Sequence, residues 1–416
     1  MESTQYRQPE AAPHQGVLRG EAGTAKIILL PKKEESVLRF HPWIFSGAIQ
    51  RIEGSPEEGD VVEVYDSRQH FLAVGHYQIG SITVRILSFR QQPVDRDFWR
   101  ERITAAYQLR KALGLTDSDN NNTYRLVHGE GDMLPGLIID IYACTAVIQA
   151  HSAGMHLSRM EVAEVVREIL PDKIRHNYYK SEPTLPFKAQ LGAENGYLLG
   201  GKNVDDIATE NGLKFHVDWE KGQKTGFFVD QRENRLLLER YVKDRRVLNM
   251  FCYTGGFSFY AMRGGAQIVH SVDSSSKAIY TACRNVDLNF PGDTRHEAFA
   301  EDAFKYLENT QEPYDLIILD PPAFAKHKQV LRNALQGYRK LNVLALEKIQ
   351  PGGILFTFSC SQVVSRDQFR VTAFSAAAQT GRKVRILHQL MQPADHPVNI
   401  YHPEGEYLKG LVLQVE

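Results

Sequence analysis

A chain of 416 residues is too long for one ordinary core and predicts two or three domains, and 43% hydrophobic with 24% charged residues describe a soluble globular protein. No run approaches the ~18 consecutive apolar residues that span a bilayer, and the first residues lack the apolar centre of a signal peptide, so a cytoplasmic protein without membrane partners is expected. A net charge of −1 leaves any nucleic-acid contact to local basic patches.

Residues 1–25 are polar and interrupted by Gly and Pro, and predict a mobile tail. Short β-type runs at 26–30, 60–65, 71–77 and 82–87, with Gly-rich joints, predict a small all-β barrel over 26–92. A helix is expected over 97–113, with Phe98, Ile103, Tyr107 and residues 109–113 on its apolar side. The rest of 93–220 mixes strands at 137–142 and 145–150 with a helix over 157–170 closed by Pro171, an α+β domain.

From 221 to 416 the pattern is Rossmann-like α/β. Strands are expected at 247–252, 268–273, 314–320 and 354–359, with a fainter one at 296–300. Helices fall at 257–263, 277–289, 303–308, 329–349 and 366–380; the longest aligns Leu331, Leu335, Tyr338, Leu341, Ala345 and Ile349 in one stripe. Two closing strands, 383–387 and 408–415, are joined by a loop too short for a crossover helix, so they should pair antiparallel.

Gly255 and Gly256 follow a strand and open a helix, and Asp273 ends the next strand 17 residues beyond Gly256. Glycines permit close backbone approach to a ligand, and an acid at that place accepts hydrogen bonds from a ribose diol. Asp302, after the third strand, is placed to accept from an adenine amino group. The run departs from G-x-G-x-x-G and shows no pyrophosphate cradle, which suits S-adenosylmethionine, a nucleoside with a sulfonium cation. A plain strand-to-helix turn is the bland alternative, and Asp273 and Asp302 count against it.

Asp320-Pro321-Pro322 ends one buried-strand run, and Ser359-Cys360-Ser361 ends the next. The pair sets a carboxyl and a thiol side by side at the rim where open α/β sheets bind ligands. Cys144, Cys252 and Cys283 read as small core residues. Cys360 lies at a carboxyl edge shortly before a helix, whose amino terminus is expected to lower the thiol pKa. Covalent attack on a pyrimidine needs this combination. Thiolate addition at C6 of cytosine makes C5 enamine-like, an acid near N3 stabilises charge in the ring, and Pro321 and Pro322 stiffen the loop presenting Asp320. The four cysteines form no C-x-x-C pair and the fifteen histidines no H-E-x-x-H, so reduced thiols and no structural metal are expected.

The segments Lys224-Thr-Gly-Phe-Phe-Val-Asp-Gln-Arg-Glu-Asn-Arg235, Leu248-Asn-Met-Phe-Cys-Tyr-Thr-Gly-Gly-Phe-Ser, Ser271-Val-Asp273, Asp320-Pro-Pro-Ala-Phe and Phe358-Ser-Cys-Ser resemble the bacterial 23S rRNA cytosine-C5 methyltransferases of the RlmI type. The resemblance covers nearly the whole chain. Phe40-His-Pro-Trp-Ile-Phe-Ser-Gly-Ala-Ile is similar to that family's PUA domain, an RNA-binding barrel, and Arg125-Leu-Val-His-Gly-Glu-Gly-Asp-Met-Leu-Pro-Gly-Leu to its central domain. The resemblance implies a class I methyltransferase using S-adenosylmethionine on 23S rRNA or a large-subunit precursor. It implies Cys360 as nucleophile with Asp320 as partner, Phe251, Gly256, Asp273 and Asp302 around the cofactor, and Gln231 and Arg232 closing over cofactor or base. The chain departs from the family at His76-Tyr-Gln-Ile-Gly and in its long polar tail, which bears on RNA contact rather than chemistry.

Lys224 and Arg232 belong to a basic stretch before the last domain, and Lys326 and Lys328 follow the Asp-Pro-Pro loop, a place to hold a phosphate beside a flipped base. Trp43, Phe45 and Tyr77 read as barrel filling before stacking platforms. Two other readings stay open: methylation of guanine N7 or an amino group, which needs no thiol, and a non-catalytic RNA-binding assembly factor. A homodimer is compatible with these residues.

Overall fold

Strand periodicity separates three sheets of five or more strands in the computed structural model, which describes residues 24–186, 191–192, 194–202, 204–325 and 327–416. The expected tail, but for its last two residues, lies outside them. In Val61–Tyr65 buried Val62 and Val64 alternate with part-exposed neighbours, as a one-faced strand requires. The first sheet runs Trp43–Phe45, Ile82–Ser88, Phe71–Tyr77, Val61–Tyr65, Lys26–Leu29, Ile49–Glu53, around Ile27, Leu29, Val62, Val64 and Val84. Trp43–Phe45 and Ile49–Glu53 were not expected as strands; one is three residues long and the other mostly exposed, so neither displays alternation.

Of the three aromatics expected to fill the barrel, Tyr77 packs on its core, and Trp43 and Phe45 do not. Phe45 is 46% exposed, and Trp43 faces away from the barrel core, its Nε1 donating to Glu130 Oε1 at 2.9 Å and its ring 4.2 Å from that of His402. His76, the departure from the family pattern, is buried and stacks on Trp99 with ring centroids 6.1 Å apart. Gly154 lies so close that a Cβ there would sit 2.1 Å from the imidazole, so His76 docks the barrel onto the next domain.

That domain has a five-stranded sheet ordered Gly196–Leu199, His176–Tyr179, Thr145–Ala150, Leu137–Tyr142, Thr123–His128. The helix expected over 157–170 is two, Ala153–Leu157 and Arg159–Ile169, because the Ser152 side chain caps an earlier start and Ser158 ends one helix and begins the other. Helix Arg96–Ala112 buries Phe98, Trp99, Ile103, Ala106 and Arg110, while Leu109 and Leu113 are each 39% exposed, against expectation. Arg110 can occupy the buried stripe because Asp132 pairs with it at 2.5 Å.

The third sheet is ordered His296–Ala300, Ile268–Asp273, Arg246–Met250, Tyr314–Leu319, Ile349–Ser359, Lys409–Val415, Val384–Leu390. The first five strands are parallel, and Lys409–Val415 runs antiparallel to both its neighbours, Ile349–Ser359 and Val384–Leu390, the second pairing being the one the short connecting loop demands. Helices cover both faces. Tyr338, Leu341 and Phe369 pack on one and Phe257, Ala261 and Leu238 on the other, a doubly wound α/β arrangement. No helix among the described residues is long and apolar enough to cross a membrane.

The loop between the last two strands reaches back into the central domain. Asp395, fully buried, accepts from Arg232 Nη2 at 2.7 Å and from the Arg125 backbone N–H at 3.0 Å, and its carbonyl accepts from Arg110 Nη2 at 2.6 Å. Removing one partner of a buried pair strands the other charge, which costs about 3–5 kcal/mol. Arg232→Ala is expected to lower unfolding free energy by that amount in urea melts, with a cut of under about 1 kcal/mol counting against this role.

Candidate active site

At the carboxyl ends of the parallel strands a cavity of ≈ 190 Å³ opens. One half is built by residues 251–256. Phe251, Tyr253 and Gly255 have φ of 59°, 49° and 84°, three left-handed residues in five, held by Cys252 N–H donating to Val272 O and Gly255 N–H to Cys252 O. Asp273 takes hydrogen bonds from the Tyr253 N–H at 3.0 Å and the Ser275 N–H at 2.9 Å, one on each oxygen, so its carboxylate is fixed with a lone pair still free on each. Asp302 caps helix Ala303–Asn309 by accepting from the Lys305 N–H. Gly256 is closely packed: a Cβ would meet Arg235 Cδ at 3.3 Å, slightly tighter than an ordinary contact, and the Phe227 ring at 3.5 Å.

The other half carries the thiol and carboxyl. Cys360 lies 3.9 Å from the Pro321 carbonyl, so the two strand ends do meet. Ser361 donates to Ala325 O at 2.6 Å and accepts at its carbonyl from Lys409 Nζ at 2.5 Å, which pins the turn around the thiol. Burial pushes the Cys360 thiol up, opposed most by Lys224, with Asp320 and Asp230 adding to the rise. The expected lowering by a helix start does not occur, because that helix begins only at Arg366 and Ser365 caps it. Asp320 is pushed up to about 7, chiefly by burial and then by the negative charge of Asp230. Gln231 Nε2 donates to Asp320 Oδ1 at 3.0 Å and is itself oriented by Asn234, which donates to Gln231 Oε1 at 2.6 Å.

Ten expected residues line this one cavity: Lys224, Gln231, Phe251, Gly256, Asp273, Asp302, Asp320, Pro321, Pro322 and Cys360. Gly255 supplies the turn rather than the lining. Arg232 does not line it; it is 2% exposed and committed to Asp395, so neither a closing nor an RNA-contact role fits it. Lys328 is exposed in the turn Lys328–Val330 away from the cavity, and Lys326 lies outside the described residues. Asp230, not among the expected residues, also lines the cavity, where Lys224 donates to it. Its carboxylate stands one residue before Gln231, but nothing local separates it from an ordinary surface acid.

A model of S-adenosylmethionine-dependent methyltransferases matches residues 194–400 and one of PUA-like domains matches 27–89. Proteins named ribosomal RNA large subunit methyltransferase I are similar over almost the entire chain. The one from Tolumonas auensis is 40% identical, covering 93% of this chain and 98% of its own, and the one from Erwinia tasmaniensis is 40% identical, covering 94% and 100%. The chain belongs to the ribosomal RNA large subunit methyltransferase I family. Its fold is shared with a solved structure described as a methyltransferase complexed with SAH (TM-score 0.80, 23% identity, covering 94% of this chain and 100% of that one). It is an S-adenosylmethionine-dependent methyltransferase.

The residues present fit that cofactor. Asp273 offers two preoriented lone pairs to a ribose diol, Asp302 keeps an oxygen free of its capping bond, and Phe251 and Ala303 line the same half. Losing a hydrogen-bonded charge of this kind weakens binding at least ~10-fold. Asp273→Ala is therefore expected to raise the cofactor Kd by ~10-fold or more in calorimetric titration, with unchanged affinity contradicting the placement.

Asp320 yields a stability prediction with a definite sign. Its folded pKa, about 7, lies above the ordinary carboxyl value of 3.8, so its folded form is favoured fully below pH ~4 and that advantage is lost as pH rises through ~7. Asp320→Asn should stabilise the protein at pH 8 by on the order of 2–4 kcal/mol and much less at pH 4.5. Urea unfolding at the two pH values reads the difference, and equal effects at both would refute the raised pKa.

Proposed function

We propose that this chain methylates C5 of a cytosine in 23S rRNA, or in its large-subunit precursor, through a transient bond between Cys360 and C6 of the base. One observation carries the reading: Cys360 and Asp320 share a cavity whose opposite half fits the methyl donor. The names of the relatives support ribosomal RNA as substrate, and the PUA-like barrel supports RNA binding. A nitrogen target is already nucleophilic and would leave Cys360 without a use.

S-adenosylmethionine, when bound, supplies an electrophilic methyl group on a sulfonium. The chain's own residues prepare the base. Cys360, as thiolate, adds to C6 and places an electron pair on C5; Lys224 is the cation that most favours the thiolate. Asp320, near neutrality in its proton affinity, donates a hydrogen bond to N3 as the ring gains negative charge. Gln231 holds that carboxyl in place from behind. After methyl transfer C5 gives its proton to solvent water, the C–H electron pair re-forms the C5–C6 double bond, and the Cys360 sulfur leaves as thiolate with its own pair.

Fluorine at C5 cannot depart as a cation, so RNA with 5-fluorocytosine at the target should trap the protein. A covalent complex that survives denaturing electrophoresis is expected with the wild type and not with Cys360→Ala, which should also lose at least ~10³-fold in 5-methylcytosine formation. Normal product from Cys360→Ala, read by mass spectrometry of rRNA, would end this proposal.

A further inference from the structure

Asp230 lies in the turn Val229–Gln231, is 5% exposed, and lines the cavity beside Lys224, Asp320 and Cys360. Its two oxygens are used unequally. Oδ2 accepts from Lys224 Nζ at 3.2 Å and from the Tyr407 hydroxyl at 2.8 Å. Oδ1 is buried and has no hydrogen-bond partner among the described residues. A charge pair with Lys224 explains Oδ2 alone. A buried carboxylate oxygen without a donor is costly; His396 and Arg125 lie near enough to favour the charge but neither donates to Oδ1, which leaves it to accept from a donor that arrives with a ligand.

We infer that Asp230 reads the exocyclic amino group of the target base and thereby selects cytosine over uracil. The inference rests on the cytosine-C5 reading above and deepens it. Cytosine presents an acceptor at N3 beside a donor at N4, whereas uracil presents a donor at N3 beside an acceptor at O4. The cavity offers the complementary pair. Asp320 keeps its proton near neutrality and donates; Asp230 is held ionised and accepts. Burial alone would raise Asp230, but Lys224, His396 and the Tyr407 hydroxyl outweigh it and keep the group well below the usual carboxylate range. With uracil in the same pose, O4 would face the Asp230 carboxylate and N3–H the Asp320 hydroxyl, two repulsive contacts for two attractive ones.

The test compares target RNA carrying cytosine or uracil at the modified position. Asp230→Asn turns the acceptor edge partly into a donor, and it should lose at least ~10-fold on cytosine while gaining measurable methylation of uracil, narrowing the C-to-U ratio by ~100-fold or more. A second measurement does not depend on that variant's turnover. In a Cys360→Ala background, where no adduct forms, RNA with pyrimidin-2-one at the target should bind at least ~10-fold more weakly than RNA with cytosine, and adding Asp230→Asn should erase the difference. Equal binding of the two bases, or equal losses on cytosine and uracil, would overturn the inference; the latter would mark Asp230 as acceptor of the C5 proton instead. A wild type that forms no 5-methylcytosine would defeat the parent reading, which a failed Asp230 test with normal wild-type product would leave standing.

Discussion

The burial of Asp395 is the constraint on which the site depends. One carboxylate joins the Arg125 backbone of the central sheet and the Arg232 guanidinium before the catalytic sheet, and its carbonyl takes Arg110 from a third stretch of chain. A charge removed from water tolerates little misplacement, since each lost contact leaves an ion uncompensated. The clamp therefore fixes residues 229–232 relative to the parallel sheet. That turn brings Asp230 and Gln231 against the Asp-Pro-Pro loop, so a wall of the active site is set by an ion pair outside the cavity.

Within the cavity, electrostatic demands conflict and are resolved by position. Two buried carboxyls share one neighbourhood. Asp230, beside Lys224 and the Tyr407 hydroxyl, stays ionised; Asp320, with burial and the Asp230 charge against it, is moved toward neutrality. The same negative charge raises the Cys360 thiol, and Lys224 is the main counterweight. A thiol with a raised pKa is a poor resting nucleophile but a strong one once ionised. The arrangement trades folding stability for chemistry, as active sites commonly do.

The catalytic domain was readable because its signals are local. Residues 316–319 and 354–358 are short runs, almost wholly apolar and buried throughout, as strands covered on both faces need, and each is followed by turn chemistry that marks the sheet's carboxyl edge. Asp273 and the glycine pair follow the same logic. Misreadings arose where a residue's role depends on what is distant in sequence. Arg232 looks like a surface cation until Asp395, far along the chain, is folded against it. His76 looks like an altered RNA-contact turn until Trp99 and Gly154 close around it. Leu109 and Leu113 fit an apolar face until Trp99 and Arg110 set the buried stripe.

By itself, then, the amino-acid order determined the strand and helix succession of the last domain, the thiol and carboxyl at adjacent strand ends, and the acid and glycines at the ends of the strands before them, since each follows from periodicity or turn preference within a dozen residues. Tertiary structure alone decided which charges are buried, what protonation each favours, and that Asp230 and Gln231 share one cavity with Asp320 and Cys360. Gln231 and Asp320 are separated by 89 positions, and no local pattern encodes a contact across that span. Burial and proton affinity are properties of the assembled neighbourhood, and they come into being only when the segments meet.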